Sequence, residues 1–370
     1  YIVGWMEYPA PGLWVVTWLP AILLCYEKAV EKDHWGWAIA CGLVIGMQFV
    51  GGQLQLSTFL LGAFLLYVLW RTAGGRERKV VLRRLGFGGA ALAVGFVLAM
   101  VQLLPTMELA PLSARVPKTL AEARQFAFPL SHLVLFFVPN FFGSPVLRNY
   151  WANSIFPHVN FLETGCYVGV ITLVFAWLAM RLWRRNGTVG YLLVLTTVSL
   201  LMALGTPLFA VYYYLVPGAE QLAGLARFLV LTAFGLAALG AFGFERLQKR
   251  ELPMITWEIP GFLGVMAIIL GGTWFIYSNV LAQNPPLLAN FIRQGMRFAA
   301  LLVTALFIVW MLARNPNKNE PTRKKKKAPK REPKAQITWA LLALLLVLMD
   351  LFSFGFLFNP ATDAELAFFE

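Results

Sequence analysis

Ten apolar stretches alternate with polar connections along this chain. They cover residues 11–27, 35–51, 54–71, 85–106, 164–183, 189–205, 225–245, 258–280, 294–313 and 337–358. A helix needs about 20 apolar residues to cross a bilayer. Lipid also obliges every spanning backbone group to be satisfied inside the protein. The pattern therefore predicts an all-α integral membrane protein with about ten transmembrane helices. Two connections break the rhythm. Residues 107–163 form a long loop, and residues 314–336 form a linker that holds Arg323, Lys324, Lys325, Lys326 and Lys327. The expected organisation is a multispanning membrane core over 1–313, a basic linker over 314–336, and a final transmembrane helix with its tail over 337–370.

The placement of Lys and Arg orients this arrangement. The connections that carry Lys28 and Lys32, Arg71 to Arg84, Arg181 to Arg185, Arg246 to Arg250 and Arg314 to Lys334 hold 24 of the 31 basic residues. All five fall on one side of a ten-helix alternation, and by the positive-inside rule that side is the cytoplasm. The basic linker is then cytoplasmic and the C-terminus outward. The outer side receives Tyr1 to about Ala10, the turn Gly51-Gly52-Gln53-Leu54-Gln55, the 107–163 loop, 206–224 and 281–293.

Composition agrees. The chain is 59% hydrophobic and only 13% charged, against roughly 25% charged in soluble domains. The net charge of +13 is a topology signal and not the footprint of a nucleic-acid partner. The Lys-rich linker reads as a stop signal and flexible spacer that also suits anionic membrane lipid. Cys25, Cys41 and Cys166 lie in apolar segments without metal or disulfide spacing. No signal peptide precedes the first apolar run, and the chain starts at Tyr1. We expect an N-terminal part beyond it.

Candidate chemistry lies on the outer side. Prolines 105, 111, 117, 129, 139 and 145 divide the long loop. Short helices are expected over Lys118–Phe126 and Leu130–Val138, the second with an apolar face in the membrane interface. Polar groups at membrane depth need partners. Gln53 and Gln55 either cap a helical hairpin or face a ligand; two residues apart, they point in different directions. Glu108 and Arg115 flank the fourth helix and suit a salt bridge on a wet rim. Glu163 is expected to open the fifth helix, where the dipole favours an acid, with Tyr167 on the same face. Arg227 begins an outward-starting helix and so requires an anion: Glu163, Glu220 or a lipid phosphate. Asp350, inside the last apolar run, is either a functional acid or a hydrogen-bonding tie to a neighbouring helix. No HExxH, Walker A or dinucleotide fingerprint occurs. Spacings such as Gly235 to Gly240 are too common in membrane helices to identify a contact.

Several strings, in order, resemble one family. They are GGQLQLS; VQLLPTMEL before the proline-broken loop with VPNFFGSP; ETGCYVGVITL; LMALGTPLFAVYYYLVPG with LARFLVLTAFGLAALGAFGFERL; and LVLMDLFSFGFLFNP. Together they resemble the bacterial YfhO-like membrane proteins, of the C-type glycosyltransferase architecture. The resemblance spans nearly the whole chain. It implies a multi-pass protein of the bacterial plasma membrane. That protein would transfer a sugar from a polyprenyl-phosphate donor to an envelope glycan or lipid acceptor, as in lipoteichoic-acid glycosylation. Arg227, and second to it Arg115, would hold the donor phosphate. Gln53 and Gln55 would bond sugar hydroxyls or cap the cleft, Glu163 would orient an acceptor or pair with Arg227, and Tyr167 would stack or hydrogen-bond. The loop around Phe136–Phe142 would line the path of the polyprenyl tail. The family's catalytic acid usually lies in a first outward loop, which this chain does not contain, so the chain reads as a fragment and no catalytic residue is assigned. A cofactor is not implied. The resemblance leaves a divalent metal open, and no ligand motif in the sequence calls for one. Gly52 stands where the family often has histidine.

Two other classes compete. A transporter or lipid flippase would need polar residues through the membrane depth, and apart from Asp350 the helices hold almost none. A non-catalytic assembly subunit would need only intact packing faces.

Overall fold

Apolar runs punctuated by Gly and Pro give helices and no strand among the described residues. The computed structural model describes residues 12–75, 77–112, 116–145, 149–222, 224–249, 257–313 and 334–355. The basic linker up to residue 333, the tail after 355, the first eleven residues and Arg115 lie outside these. In chain order the helices are α1 (Gly12–Val16), α2 (Leu19–Lys32), α3 (Trp35–Val50), α4 (Leu54–Ala73), α5 (Arg78–Leu109), α6 (Leu120–Arg124) and α7 (Val170–Ala179). They continue with α8 (Gly187–Ala203), α9 (Phe209–Leu215), α10 (Leu229–Gln248), α11 (Glu258–Gln283), α12 (Pro285–Ala313) and α13 (Lys334–Gly355).

Among the described residues six helices are long and apolar enough to cross a membrane: Leu54–Ala73, Arg78–Leu112, Leu225–Gln248, Glu258–Gln283, Pro285–Ala313 and Gln336–Gly355. This is the architecture of a multi-pass membrane protein. Three more expected spans are apolar but shorter: Trp35–Val50, Val170–Leu182 and Gly187–Ala203. The first expected span is broken by a turn at Thr17 and Trp18, with Pro20 in the first turn of α2. The expected helix over 164–183 starts only at Val170. Gly169 before it has φ +90°, a left-handed conformation that ends any helical continuation upstream.

The chain forms two compact units. The first comprises 1–128, 158–164 and 194–232; the second comprises 129–157, 165–193 and 233–370. In the first, α3 and α5 approach closely because small residues line the seam. A Cβ on Gly42 would meet Val94 Cβ at 2.6 Å and Ala91 O at 2.7 Å; one on Gly46 would meet Leu98 Cβ at 2.6 Å; one on Gly95 would meet Ile45 Cγ2 at 2.6 Å. At one end of this unit, Glu27 accepts from Tyr67 Oη (2.6 Å) and pairs with Arg71 (3.0 Å), while Arg83 pairs with Asp33. His34 Nδ1 accepts from Gly36 N and caps α3.

In the second unit, α10 crosses α7 at two further glycines. Gly240 faces Thr172, and Gly243 sits against the carbonyl of Phe175. Aromatic rings fill the space around the 129–157 segment: Phe141, Phe142, Trp151 and Tyr277 pack edge-to-face or tilted. The short helix expected over Leu130–Val138 is a 3₁₀ helix, Leu130–Phe136. Its residues His132, Val134, Leu135 and Phe136 are buried, so it is core and not an interfacial helix. His132 lies flat on Phe142, with ring centroids 4.2 Å apart. Burial pushes its imidazole down to about 3.

Overfilling the α3–α5 seam tests this packing. Gly42→Val should cost about 1–3 kcal/mol and lower the thermal midpoint in detergent. Gly62→Ala, at a site with nothing within 4 Å, should not. Equal midpoints for both variants would contradict the close approach.

Candidate functional site

The turn GGQLQ sets up the site. Gly51 closes α3, and Gly52 has φ +83°, which allows the chain to reverse in one residue. Gln53 occupies the position before α4 but makes no side-chain cap bond. The amide that ties the two helices is Gln48, whose Nε2 donates to Ser57 O at 2.9 Å in the interior. The capped-hairpin reading of Gln53 is therefore replaced, and the tie belongs to a residue five positions earlier.

Gln55 is in the first turn of α4 and is 4% exposed. Its Nε2 lies 3.4 Å from both Leu222 O and Gly224 O. Its Oε1 accepts from Arg227 Nη1 at 2.7 Å. Arg227 Nε and Nη2 both reach Glu163 Oε1, at 2.8 and 2.7 Å. One guanidinium thus joins α4, the 3₁₀ turn Leu162–Thr164 and the 3₁₀ turn Leu225–Phe228. Gly224 makes room for it. That residue has φ +105°, and a Cβ there would sit 3.0 Å from Arg227 Nε.

Rings seal the layer beneath. Phe59 stacks on Phe228 with centroids 3.7 Å apart, and Thr58 Oγ1 lies 2.9 Å from Tyr212 Oη. The loop closes from the other side. Lys118 N donates to Glu220 O at 2.8 Å, and Tyr213 Oη donates to Lys118 O at 2.8 Å. The next residue, Thr119, forms a capping box with Glu122 and starts α6. The short helix expected over Lys118–Phe126 is thus Leu120–Arg124, and the hydrogen bonds from Thr119 hold the Glu122 carboxyl below its usual range.

Gln55, Arg227 and Lys118 from these contacts also line an open cleft of about 1010 Å³. Gln53, Gln55, Gln221, Lys118 and Arg227 line it with polar groups; Leu103, Met107 and Leu109 of α5 line it with apolar ones. A cleft of this kind suits an amphiphile, with headgroup against the amides and cations and chain against α5.

The remaining candidates separate from this site. Glu163 is in the cluster but does not open a helix, because α7 begins at Val170. Tyr167 is not one helical turn above it. It belongs to the second unit, where its Oη donates to Asp350, 2.7 Å from each carboxylate oxygen. Asp350 is 1% exposed. It also accepts from Val170 N at 2.9 Å and lies 3.5 Å from Arg297 Nη2. The acid thus caps α7 from α13, and every partner it takes is a structural one. Glu108 is exposed on α5, and its expected partner Arg115 lies outside the described residues. Phe136, Phe137, Phe141 and Phe142 are buried in the second unit and do not line the cleft. Lys118, absent from the sequence candidates, does. Among the described residues no group of three His, Cys, Asp or Glu side chains gathers at metal-ligand range.

Comparison with protein-family models, curated proteins and solved structures gave no match.

Two substitutions test these ties. Glu163→Gln removes the charge that the guanidinium faces and should destabilise the protein by about 3 kcal/mol. Asp350→Ala should cost about 3–5 kcal/mol, since it uncaps α7 and leaves Arg297 facing no carboxylate. Thermal unfolding in detergent reads both. A change below 0.5 kcal/mol, the scale of surface substitutions, would contradict the assigned roles.

Proposed function

We propose that this protein is a membrane glycosyltransferase-like protein that binds a polyprenyl-phosphate-linked sugar at the outer face of the bacterial plasma membrane. The acceptor is an envelope glycan or lipid. The observation that carries this reading is the cleft of the first unit, where amides and two cations face the apolar wall of α5. A lipid-linked sugar phosphate has the matching parts: a long apolar chain, a negative charge and a hydroxyl-rich head. Gln53 and Gln221 suit sugar hydroxyls, because an amide offers both a donor and an acceptor, while the amide of Gln55 is engaged by Leu222, Gly224 and Arg227.

Topology supports the placement. The lining residues at 52–55, 107–111, 118 and 217–222 belong to segments that the Lys and Arg pattern assigns outward, and Arg227 stands in the first turn of the apolar run that follows. The segments assigned inward share the Glu27–Arg71 and Arg83–Asp33 pairs. A transport reading would enlist Asp350 as its intramembrane acid, but that carboxylate is engaged by Tyr167, Val170 and Arg297. The base that would activate the acceptor is not assigned to any residue of this chain.

The test is sugar transfer. Vesicles containing the protein from its own membrane, supplied with a radiolabelled polyprenyl-phosphate sugar, should move label to an acceptor. Met107→Trp, which fills the cleft from an exposed position on α5, should lower transfer at least about tenfold, the factor that 1.4 kcal/mol represents. Label carried across the membrane without transfer would replace this reading with a transporter. Neither transfer nor transport would leave an assembly subunit.

A further inference from the structure

We propose that Lys118 is the residue that recognises the anionic group of the cleft's ligand, and that Arg227 is a positioning residue that holds the polar wall together. The proposal rests on the reading of the cleft as a site for a lipid-linked phosphate. It assigns charge recognition there to a different residue from the one the sequence suggests.

The first observation is that Arg227 is already committed. Its Nε and Nη2 hold Glu163 Oε1, and its Nη1 holds Gln55 Oε1. The Glu163 side chain is 11% exposed. A phosphate drawn to this guanidinium would meet a carboxylate of like charge beside it, and closing on it would require breaking the bonds that tie three segments together. Arg227 shapes the wall; its positive charge is compensated.

The second observation is that Lys118 lines the same cleft and acts on the Glu122 carboxylate only through its field. Among the described residues its ammonium makes no ion pair. The nearest acid along the chain, Glu122, is held by the backbone N–H and hydroxyl of Thr119 at 2.7 and 2.8 Å. The Lys118 ammonium rests over the Phe126 ring, 5.6 Å from its centroid. A cation over an aromatic face is held far more weakly than one on a phosphate.

The third observation is anchorage. Both backbone polar groups of Lys118 are engaged, its N–H by Glu220 O and its carbonyl by Tyr213 Oη. The capping box of Thr119 and Glu122 fixes the chain immediately after it. The side chain therefore starts from a fixed point, and its four-carbon stem lets the ammonium move from the ring to a ligand. A fixed root with a movable charge is what capture of a headgroup at a cleft mouth requires.

The experiment compares three probes on the intact protein in detergent: polyprenyl phosphate, the uncharged polyprenol, and inorganic phosphate. The wild type should bind polyprenyl phosphate at least tenfold more tightly than polyprenol. Lys118→Gln should erase that ratio while keeping polyprenol affinity and the thermal midpoint of the unliganded protein. Lys118→Arg should keep the ratio. Arg227→Lys retains a charge but cannot span Glu163 and Gln55; it should weaken both lipids together and lower the midpoint, leaving the ratio intact. A ratio preserved in Lys118→Gln, or lost in Arg227→Lys, would overturn the proposal and return the phosphate to Arg227. A wild type that binds neither lipid would overturn the cleft reading itself, and this assignment with it. Binding of inorganic phosphate alone, lost in Lys118→Gln, would keep Lys118 as an anion receptor and overturn the lipid-linked ligand.

Discussion

No water reaches the hydrocarbon of a bilayer, so a polar group placed there must find its partner inside the chain. That constraint organises what this structure does with its few buried polar side chains. Gln48 gives its amide to Ser57 O, Ser199 and Thr232 share a hydroxyl bond at 2.8 Å, and Asp350 takes three donors from two segments. Each tie is also a fastening. At these residues neighbouring segments are pinned together. Glycines at the seams let those helices come close enough to be pinned.

The same constraint separates the two acids that drew attention in the sequence. Asp350 is enclosed and satisfied by a hydroxyl, a backbone N–H at the start of α7, and a guanidinium. It is an anchor for α13. Glu163 is also largely enclosed, but its partner Arg227 lines an open cleft. Its bond therefore shapes a surface that a ligand can reach. The Gln55–Arg227–Glu163 cluster joins segments 172 residues apart in sequence at its widest. It gives the cleft a polar wall that no single loop could hold in place.

Much of the helical fold was legible in the sequence, because an apolar run of 20 residues has few other stable forms in lipid. Helix boundaries were less so. Glu163 was expected to open a helix, but the left-handed Gly169 and the cap from Asp350 delay α7 to Val170. Such a cap comes from 180 residues away and leaves no local signal. The Gly42–Gly46 seam was equally hidden. Small residues four apart are common in membrane helices, and only the register against α5 shows which ones matter. Arg227, Gln55 and Glu163 each stood out as polar residues in apolar surroundings. Their union depends on Gly224, whose φ of +105° the sequence allows but does not announce. Lys118 entered only as the first residue of the short helix expected over Lys118–Phe126. Its one local signal was the Thr119–Glu122 capping pattern, which fixes where the chain turns.

On the proposed reading, a lipid-linked substrate lies in the cleft beside α5. The most direct measurement is photo-crosslinking with a polyprenyl phosphate that carries a diazirine near its phosphate, followed by mass spectrometry of the labelled peptides. The account predicts adducts on the 103–111 segment and on the 217–222 segment, suppressed by excess unlabelled polyprenyl phosphate. Saturable labelling confined to the second unit, with the cleft segments unmodified, would contradict it.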